Sequence, residues 1–256
     1  PIAAHRPMCV KALDMGFHVI VEKPPAVTIQ DVDDMIEARR RSGRLCQVNF
    51  QNTSGQAARK LIELLRAGAL GRITDVTGLG MWKRDEAYYA RTGWAGKLTH
   101  NGMLVLDGTI NNPLAHLLHN CLLFAGSGEA AKAAPEWVQA ELYHANRIES
   151  EDTSCVRIGV AGGATVHFFA TVCHDRSETP SVRIRGTEGE ALWTYENKLT
   201  IRNREGESTW AFGPEHLVAN MYRNMMAAIG RGEPLYAPID DCRSFMAASN
   251  GAFLSA

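Results

Sequence analysis

The stretch Val19-Ile20-Val21-Glu22-Lys23-Pro24 decides how the first part of the chain folds. Its β-branched run predicts a short buried strand, and the proline ends that strand because it cannot donate to a strand ladder. Helical spacing surrounds it at residues 5–15 and again up to about Arg41, where Thr28 is expected to cap the helix, and residues 45–50 form a second apolar run. This alternation predicts a parallel, doubly wound sheet that binds ligands at the carboxyl ends of its strands. The strand therefore delivers an acid and an amine to that edge.

The pattern changes near residue 50. We expect a helix at about 55–67, one long helical region at 102–125, and two closing helices at about 215–230 and 240–255. Strands are expected between them at 137–148, 153–160, 164–173, 181–186, 190–195, 198–203 and 208–212. Such a meander forms a largely antiparallel sheet with helices on one face. Its exposed face predicts a homodimer or homotetramer assembled through the sheet.

The bulk composition excludes several classes of protein. The 256 residues can bury a large core, and 27 basic residues nearly balance 28 acidic ones, so neither nucleic acid nor an anionic membrane is expected as a partner. No apolar run reaches the length of a bilayer-spanning helix. Six scattered cysteines in mostly apolar segments indicate reduced, buried thiols and a cytoplasmic protein, and no metal site is expected.

Two motifs carry a resemblance to a known family. The turn Glu22-Lys23-Pro24 resembles the Glu-Lys-Pro motif of the glucose–fructose oxidoreductase, inositol dehydrogenase and MocA family. The stretch Trp94-Ala-Gly96 and residues 101–111, which include Asp107 and Asn111, are similar to that family's W-x-G and G-G-x-L-x-D-x-G-x-H sequences. Members of the family are NAD(P)-dependent enzymes that act on sugars and cyclitols.

The resemblance implies a fold class and a cofactor. The expected fold is α/β plus α+β: residues 1–50 form the C-terminal part of a Rossmann-type parallel sheet domain, and residues 51–256 form a largely antiparallel open-sheet domain with helices on one face. NAD or NADP is the expected cofactor, and Lys23 is expected beside its nicotinamide ring and the reacting substrate carbon. The expected cofactor contacts are His5, Glu22, Lys23 and Pro24.

A glycine-rich phosphate loop is not evident in the sequence. The nearest match, Gly126-Ser-Gly128-Glu-Ala-Ala131, follows a helix instead of a strand, which predicts a helix end and a surface loop. In the related family the phosphate loop lies upstream of the helix that contains His5. The chain begins with Pro1 and stops inside a helical segment, so we expect a fragment, incomplete at both ends, that binds NAD(P) weakly by itself.

The identity of the catalytic acid/base is open at this stage. Asn111 stands where the family has a histidine, four residues after Asp107, and residues four apart share a helix face. An amide binds a hydroxyl but cannot take its proton, so Lys23, tuned by Asp107, is the first candidate. His116 is the second candidate, if Pro113 kinks the helix toward the pocket. The alternative for His116 is a packed core histidine.

Further residues are expected to bind the substrate. The expected substrate contacts are Gln51, Tyr89, Arg91, Trp94 and Asn111. Three of them combine aromatic surface with a cation, as sugar sites do, although an aromatic lid packed on the sheet is equally consistent with that loop. Asn112 is expected to be structural. Residues 146–153 are polar and are expected to form a solvated hairpin end, although Arg147 and Asp152 could reach the substrate.

Three functions are consistent with these residues. The leading one is an NAD(P)-dependent oxidoreductase that transfers a hydride between nicotinamide and a hydroxyl-bearing carbon of a sugar or cyclitol. A non-catalytic sensor or scaffold is favoured by Asn111 and opposed by the retained Lys23 and Asp107. An NAD-assisted glycoside hydrolase, in which oxidation is transient, is the third.

Overall fold

The computed structural model describes residues 2–256. Its first part consists of α1 (His5–Asp14), β1 (Val19–Val21), α2 (Ile29–Ser42) and β2 (Cys46–Val48), and the two strands pair in parallel. The Thr28 hydroxyl caps α2 by accepting a hydrogen bond from the Asp31 N–H at 3.2 Å. The predicted alternation of strands and helices, with its cap at Thr28, is confirmed.

The second part is built around an eight-stranded sheet. After the short 3₁₀ turn Gln51–Ser54 come α3 (Gln56–Arg66), α4 (Glu86–Ala90), α5 (Ala115–Ala125), α6 (Leu217–Arg231) and α7 (Ile239–Ser255). The strands are β3 (Ile73–Met81), β4 (Thr99–His100), β5 (Met103–Leu104), β6 (Pro135–Tyr143), β7 (Thr153–Val160), β8 (Thr165–Thr171), β9 (Ser181–Gly186), β10 (Gly189–Thr194), β11 (Lys198–Asn203) and β12 (Gly206–Ala211). β4 and β5 form a separate two-stranded hairpin.

The large sheet has the order β12-β11-β10-β9-β3-β8-β7-β6. Its neighbours are antiparallel except for the parallel pair β3 and β8, so the predicted largely antiparallel sheet is confirmed. Side chains alternate between its faces: Val76, Phe168 and Val182 are buried, whereas Leu79 and Phe169 are exposed. One face therefore packs on helices and the other faces outward.

Helix α5 packs directly against strand β3. A side chain at Gly78 would lie 2.5 Å from the Cys121 sulfur, and one at Gly80 would lie 2.8 Å from Leu114. The two glycines therefore allow α5 to approach the sheet closely, which fixes the turn that precedes the helix. A continuous core joins both parts of the molecule through α5 and α7, with Phe50, Phe124, Phe168 and Phe245 fully buried in it.

The predicted long helix at 102–125 is wrong. Only Ala115–Ala125 is helical, and residues 106–114 form a series of turns after the β4–β5 hairpin. Gly102 and Leu106 have left-handed backbone angles of 74° and 48° in φ, and Pro113 lies just before α5. A continuous helix requires negative φ throughout, so the apolar periodicity of this segment does not produce one.

Two smaller expectations are confirmed. The Gly126-Ser-Gly128 stretch ends α5 and leads into a 3₁₀ turn, Ala130–Ala133. The cysteines are free thiols, and four of the six are buried. Within residues 2–256, no helix combines the length and the apolar character needed to cross a bilayer.

Candidate active site

Lys23 lies at the carboxyl end of β1, on the edge formed by the two parallel strands. Glu22, just before it, accepts a hydrogen bond of 2.8 Å from the Asn49 side-chain amide, which follows β2. The Lys23–Pro24 peptide is cis, and the His5 Nδ1 lies 2.8 Å from the Pro24 carbonyl oxygen. The structure thus brings His5, Glu22, Lys23 and Pro24 together at one edge.

A chain of hydrogen bonds connects Lys23 with Asp107. The Lys23 ammonium donates to the Asn112 side-chain oxygen at 2.9 Å and to the Asn112 carbonyl oxygen at 2.6 Å. The Asn112 amide nitrogen donates in turn to Asp107 Oδ1 at 2.7 Å, and the Gly96 N–H donates to Asp107 Oδ2 at 2.8 Å. An amine from the parallel sheet and a carboxylate from the second part of the chain therefore meet through one amide.

Burial shifts the pKa of both ends of this chain. Burial lowers the pKa of Lys23 to about 8, against the raising influence of the Glu22 and Asp107 charges. Burial also raises the pKa of Asp107, while its hydrogen bonds from Gly96 and Asn112 oppose that shift. An amine that releases its proton near pH 8, next to a carboxylate, is suited to take a proton from a hydroxyl group.

The aromatic loop flanks Asp107. Asp85 caps α4 by accepting from the Tyr88 N–H at 3.1 Å. The Arg91 guanidinium stacks on the Tyr88 ring at 3.6 Å, lies 5.4 Å from the Trp94 ring, and reaches Asp107 Oδ2 at 3.9 Å. Tyr89 packs edge-to-face on Tyr88. The loop therefore places planar aromatic surface and a cation beside the carboxylate.

The two consecutive asparagines have different roles from those expected. Asp107 and Asn111 do not share a helix face, because the segment between them is a turn. The Asn111 amide is buried, donates to the Leu106 carbonyl at 3.2 Å and accepts from the Ser249 hydroxyl at 2.8 Å. The side chain that faces Lys23 belongs to Asn112, which the sequence analysis expected to be structural.

His116 lies near Lys23, at the start of α5, but it is a poor base. Its ring contacts Phe50 edge-on at 5.8 Å between centroids, and its Nδ1 is buried without a partner in residues 2–256. Burial, together with the nearby Lys23 charge, lowers its pKa to about 3. A neutral imidazole of this kind accepts hydrogen bonds but scarcely takes up a proton, which favours Lys23 as the base.

Gln51 stands in the 3₁₀ turn that follows β2. It lines a surface groove of about 530 Å³ together with residues 215–219 and Tyr222 at the start of α6. Its proposed contact with a substrate stays a prediction.

Three residues of the site were not among the predicted functional residues: Asn112, Tyr88 and Glu151. Glu151 belongs to the polar run 146–153, but it is buried against residues 108–110. The sequence does contain a signal for Asn112, because it is a second amide next to Asn111 in the family motif and directly precedes Pro113. For Glu151 the local sequence offers none, because a polar run at a hairpin normally faces solvent.

The edge that carries Lys23 fits a dinucleotide cofactor. Ligands of parallel α/β sheets bind outside the carboxyl ends of the strands, which is where Glu22 and Lys23 lie. The Asn49 side-chain oxygen at the same edge is buried and has no hydrogen-bond partner in residues 2–256. A buried acceptor without a donor is costly, and the amide of a bound nicotinamide would supply one.

Fold and site together define a class of protein: a parallel α/β unit joined to an open-sheet unit, with a lysine and a carboxylate meeting between them. The chain belongs to the Gfo/Idh/MocA family. Residues 1–50 match the model described as oxidoreductase family, NAD-binding Rossmann fold, and residues 58–192 match the GFO/IDH/MocA C-terminal domain.

Individual relatives resemble parts of the chain. It is 32% identical over 73 residues to D-glucoside 3-dehydrogenase of Escherichia coli K12, and 26% identical over 98 residues to glycosyl hydrolase family 109 protein 2 of Bacteroides fragilis. The two matches cover 28% and 38% of this chain, but only 21% and 23% of those proteins. The matched segments therefore span less than a quarter of the relatives' length.

Solved structures share the fold over the whole chain. The WlbA dehydrogenase from Bordetella pertussis, in complex with NADH and UDP-GlcNAcA, has a TM-score of 0.78 at 24% identity, covering 100% of this chain and 74% of that one. The aldose-aldose oxidoreductase from Caulobacter crescentus, complexed with glycerol, has a TM-score of 0.80 at 19% identity, with coverage of 100% and 74%.

Proposed function

We propose that this protein transfers a hydride between NAD(P) and a hydroxyl-bearing carbon of a sugar or cyclitol. The observation that carries the proposal is the partly buried Lys23 amine, linked through Asn112 to Asp107 at the edge that fits a dinucleotide. The family match to an NAD-binding Rossmann fold supports the cofactor, and the similarity to a D-glucoside dehydrogenase supports the substrate class.

In this mechanism the chain's own residues manage the alcohol proton. A cofactor held at the edge formed by His5, Glu22, Lys23 and Pro24 would supply the hydride acceptor. Lys23 takes the hydroxyl proton, because its lowered pKa leaves part of the amine neutral near pH 8. Asn112 orients the amine, the Asp107 charge stabilises the ammonium that forms, and the Tyr88–Arg91–Trp94 surface holds the sugar ring.

A spectrophotometric panel tests the proposal. The purified protein is incubated with a saturating concentration of NAD or NADP and a set of sugars, cyclitols and nucleotide sugars, and formation of reduced cofactor is followed by absorbance. We expect steady formation with at least one substrate and its loss in Lys23→Met. Silence across the panel, with intact cofactor binding, would contradict the proposal and support a non-catalytic sensor or scaffold.

A second candidate is NAD-assisted glycoside cleavage. The similarity to a family 109 glycosyl hydrolase over 38% of this chain is the observation that favours it. Such a reaction oxidises the sugar only transiently, so it releases an aglycone without net formation of reduced cofactor. Chromogenic glycosides in the same panel distinguish the two: aglycone release without reduced cofactor supports hydrolysis.

We also propose a domain boundary, a cellular location and an oligomeric state for this protein. The boundary between the dinucleotide-binding and substrate-binding domains lies near residue 50, and the protein is cytoplasmic. It forms a homodimer or homotetramer whose interface is the outer face of the large sheet. Exposed apolar side chains at Leu79, Phe169 and Leu192 on that face support the assembly. Light scattering on a Phe169→Glu, Leu192→Glu variant tests it, with a monomer expected.

A further inference from the structure

A buried carboxylate lies directly behind the turn that carries Asp107 and Asn112. Glu151, with 4% of its surface exposed, accepts hydrogen bonds from the Ile110 N–H at 3.1 Å and the Thr109 hydroxyl at 3.4 Å. The Ser150 hydroxyl donates to its other oxygen at 2.6 Å. Nothing in the proposed proton transfer uses this group, yet burying a carboxylate is costly.

The residues that Glu151 contacts are the ones that hold Asn112 in place. The Asn112 N–H donates to the Gly108 carbonyl at 3.0 Å, and the Leu114 N–H donates to the Thr109 carbonyl at 3.0 Å. A side chain at Gly108 would collide with the Glu151 carboxylate, so the two are in tight contact. Glu151 therefore holds residues 108–110 in place, and these residues connect Asp107 with Asn111 and Asn112.

We propose that Glu151 is a positioning residue that fixes the 107–112 turn, so that Asn112 meets the Lys23 amine and Asp107. This inference rests on the proposed function only for the expected change in kcat. The expected change in the Lys23 pKa depends on the contact between Lys23 and Asn112 alone. Without the brace, the buried Ile110 N–H loses its acceptor, and the turn has to rearrange to find another. A rearranged turn withdraws Asn112 from Lys23 and admits water to the amine.

The experiment measures the Lys23 pKa directly. The chain has seven lysines, so NMR titration of side-chain ¹³C-labelled lysine is feasible, and Lys23→Arg assigns the signal. In Glu151→Ala, we expect the Lys23 pKa to rise by about half a pH unit or more, because burial is the main cause of its low value. We also expect kcat to fall by about tenfold or more with KM changed by less than about threefold.

Conservative variants separate positioning from folding. Glu151→Gln keeps the shape and the acceptor for Ile110, so its Lys23 pKa and kcat should remain near those of the wild type. Asp241→Asn is the matched control. Asp241, on α7, is also a carboxyl whose pKa is raised by burial, but its hydrogen bonds are to the backbone of residues 130–131 and not to the 107–112 turn. That control should leave the Lys23 pKa unchanged.

The inference is overturned if folded Glu151→Ala keeps the wild-type Lys23 pKa and kcat. If that variant does not fold, Thr109→Val decides: it removes a hydroxyl that donates to Glu151 and that also contacts the Ser154 hydroxyl, so Ser154→Ala is its control. Wild-type values of both quantities in Thr109→Val would then overturn the inference. The Lys23 titration needs neither cofactor nor substrate. If the Lys23 pKa is shifted in Glu151→Ala but the wild-type protein oxidises no sugar, the proposed function is contradicted and the positioning role of Glu151 is supported.

Discussion

The two halves of the site are held in place by different kinds of contact. Lys23 sits at the end of β1, whose backbone is fixed by the parallel ladder with β2 and by the core beneath it. Asp107 and Asn112 sit in a turn outside any ladder, and that turn is fixed by Glu151, Lys97 and Ser249, which come from elsewhere in the chain. The amine therefore depends on secondary structure, whereas the carboxylate and the amide depend on buried polar partners.

This difference has a consequence for how the site responds to substitution. A change at the strand edge removes a group and leaves its surroundings intact, because Lys23 follows β1 and the ladder is made by backbone hydrogen bonds. A change around the turn moves several groups at once, since buried polar partners are lost together. The predictions below test this contrast.

The largest effect is expected at the strand edge, from Lys23→Met. Removing the base should lower kcat/KM by about a thousandfold, the usual contribution of a positioned acid or base. Cofactor affinity, measured by NADH fluorescence, should change by less than about threefold because the edge itself persists.

Lys83→Met serves as the matched control for that experiment, since Lys83 is an exposed lysine on the loop after β3. It should behave as the wild type. A Lys23→Met enzyme with nearly full kcat/KM would remove the amine from the mechanism.

The next effect concerns the turn and appears in stability rather than rate. Burial raises the pKa of Glu151 from 4.5 to about 7. The folded state then holds a proton that the unfolded state has released, so the stabilisation is complete below pH 4.5 and is lost as pH rises through about 7. The free energy of unfolding should fall by about 3 kcal/mol at most across that window.

Urea unfolding at pH 5 and pH 8 measures this fall, with Glu151→Gln as the comparison. The Gln variant cannot titrate, so its difference in stability between the two pH values should be smaller than that of the wild type. Equal differences in both proteins would show that Glu151 does not titrate with the raised pKa.

The sequence predicted one half of the site better than the other, for the same physical reason. The strand, its proline stop and the helix cap at Thr28 are local signals, and each was confirmed in the structure. The turn was predicted as a helix because its apolar residues have helical spacing. The contacts that override that spacing come from Lys97 and Glu151, and periodicity within a segment does not contain them.

The fold class was predictable in the same way. Alternating strands bury one face of the large sheet, and that pattern is visible along each strand. Which of Asn111 and Asn112 contacts Lys23 was not predictable, because the two neighbouring amides differ only in the direction that the turn gives to each side chain. Resemblance to a family identified the segment, but the conformation of the backbone decided which amide meets the lysine.

A third prediction separates those two amides. Asn112→Ala removes the side-chain acceptor of Lys23 and a donor to Asp107, so kcat should fall by about tenfold to a hundredfold. Asn111→Ala should instead lower the free energy of unfolding by about 1–3 kcal/mol, the cost of leaving buried polar partners unpaired. Kinetics and urea unfolding on both variants check this.

Ser249→Ala is the control, because it removes the hydroxyl that donates to Asn111 and leaves both asparagine side chains in the protein. It should lower stability and leave kcat near the wild-type value. A large loss of kcat in Asn111→Ala, with stability intact, would restore Asn111 as the substrate-binding amide.

The smallest effect is expected in the pH dependence of the reaction. Oxidation of an alcohol needs Lys23 as the neutral amine, so kcat/KM should rise with pH, about tenfold per pH unit, and level off above the Lys23 pKa of about 8. The Asp107 charge favours the ammonium and raises that pKa. Asp107→Asn should therefore move the inflection to lower pH, by less than about one unit given the intervening amide. An inflection that moves upward, or one that persists near pH 8 in Lys23→Met, would mean that another group is the base. The joined turn and strand edge would then bind the substrate without exchanging its proton.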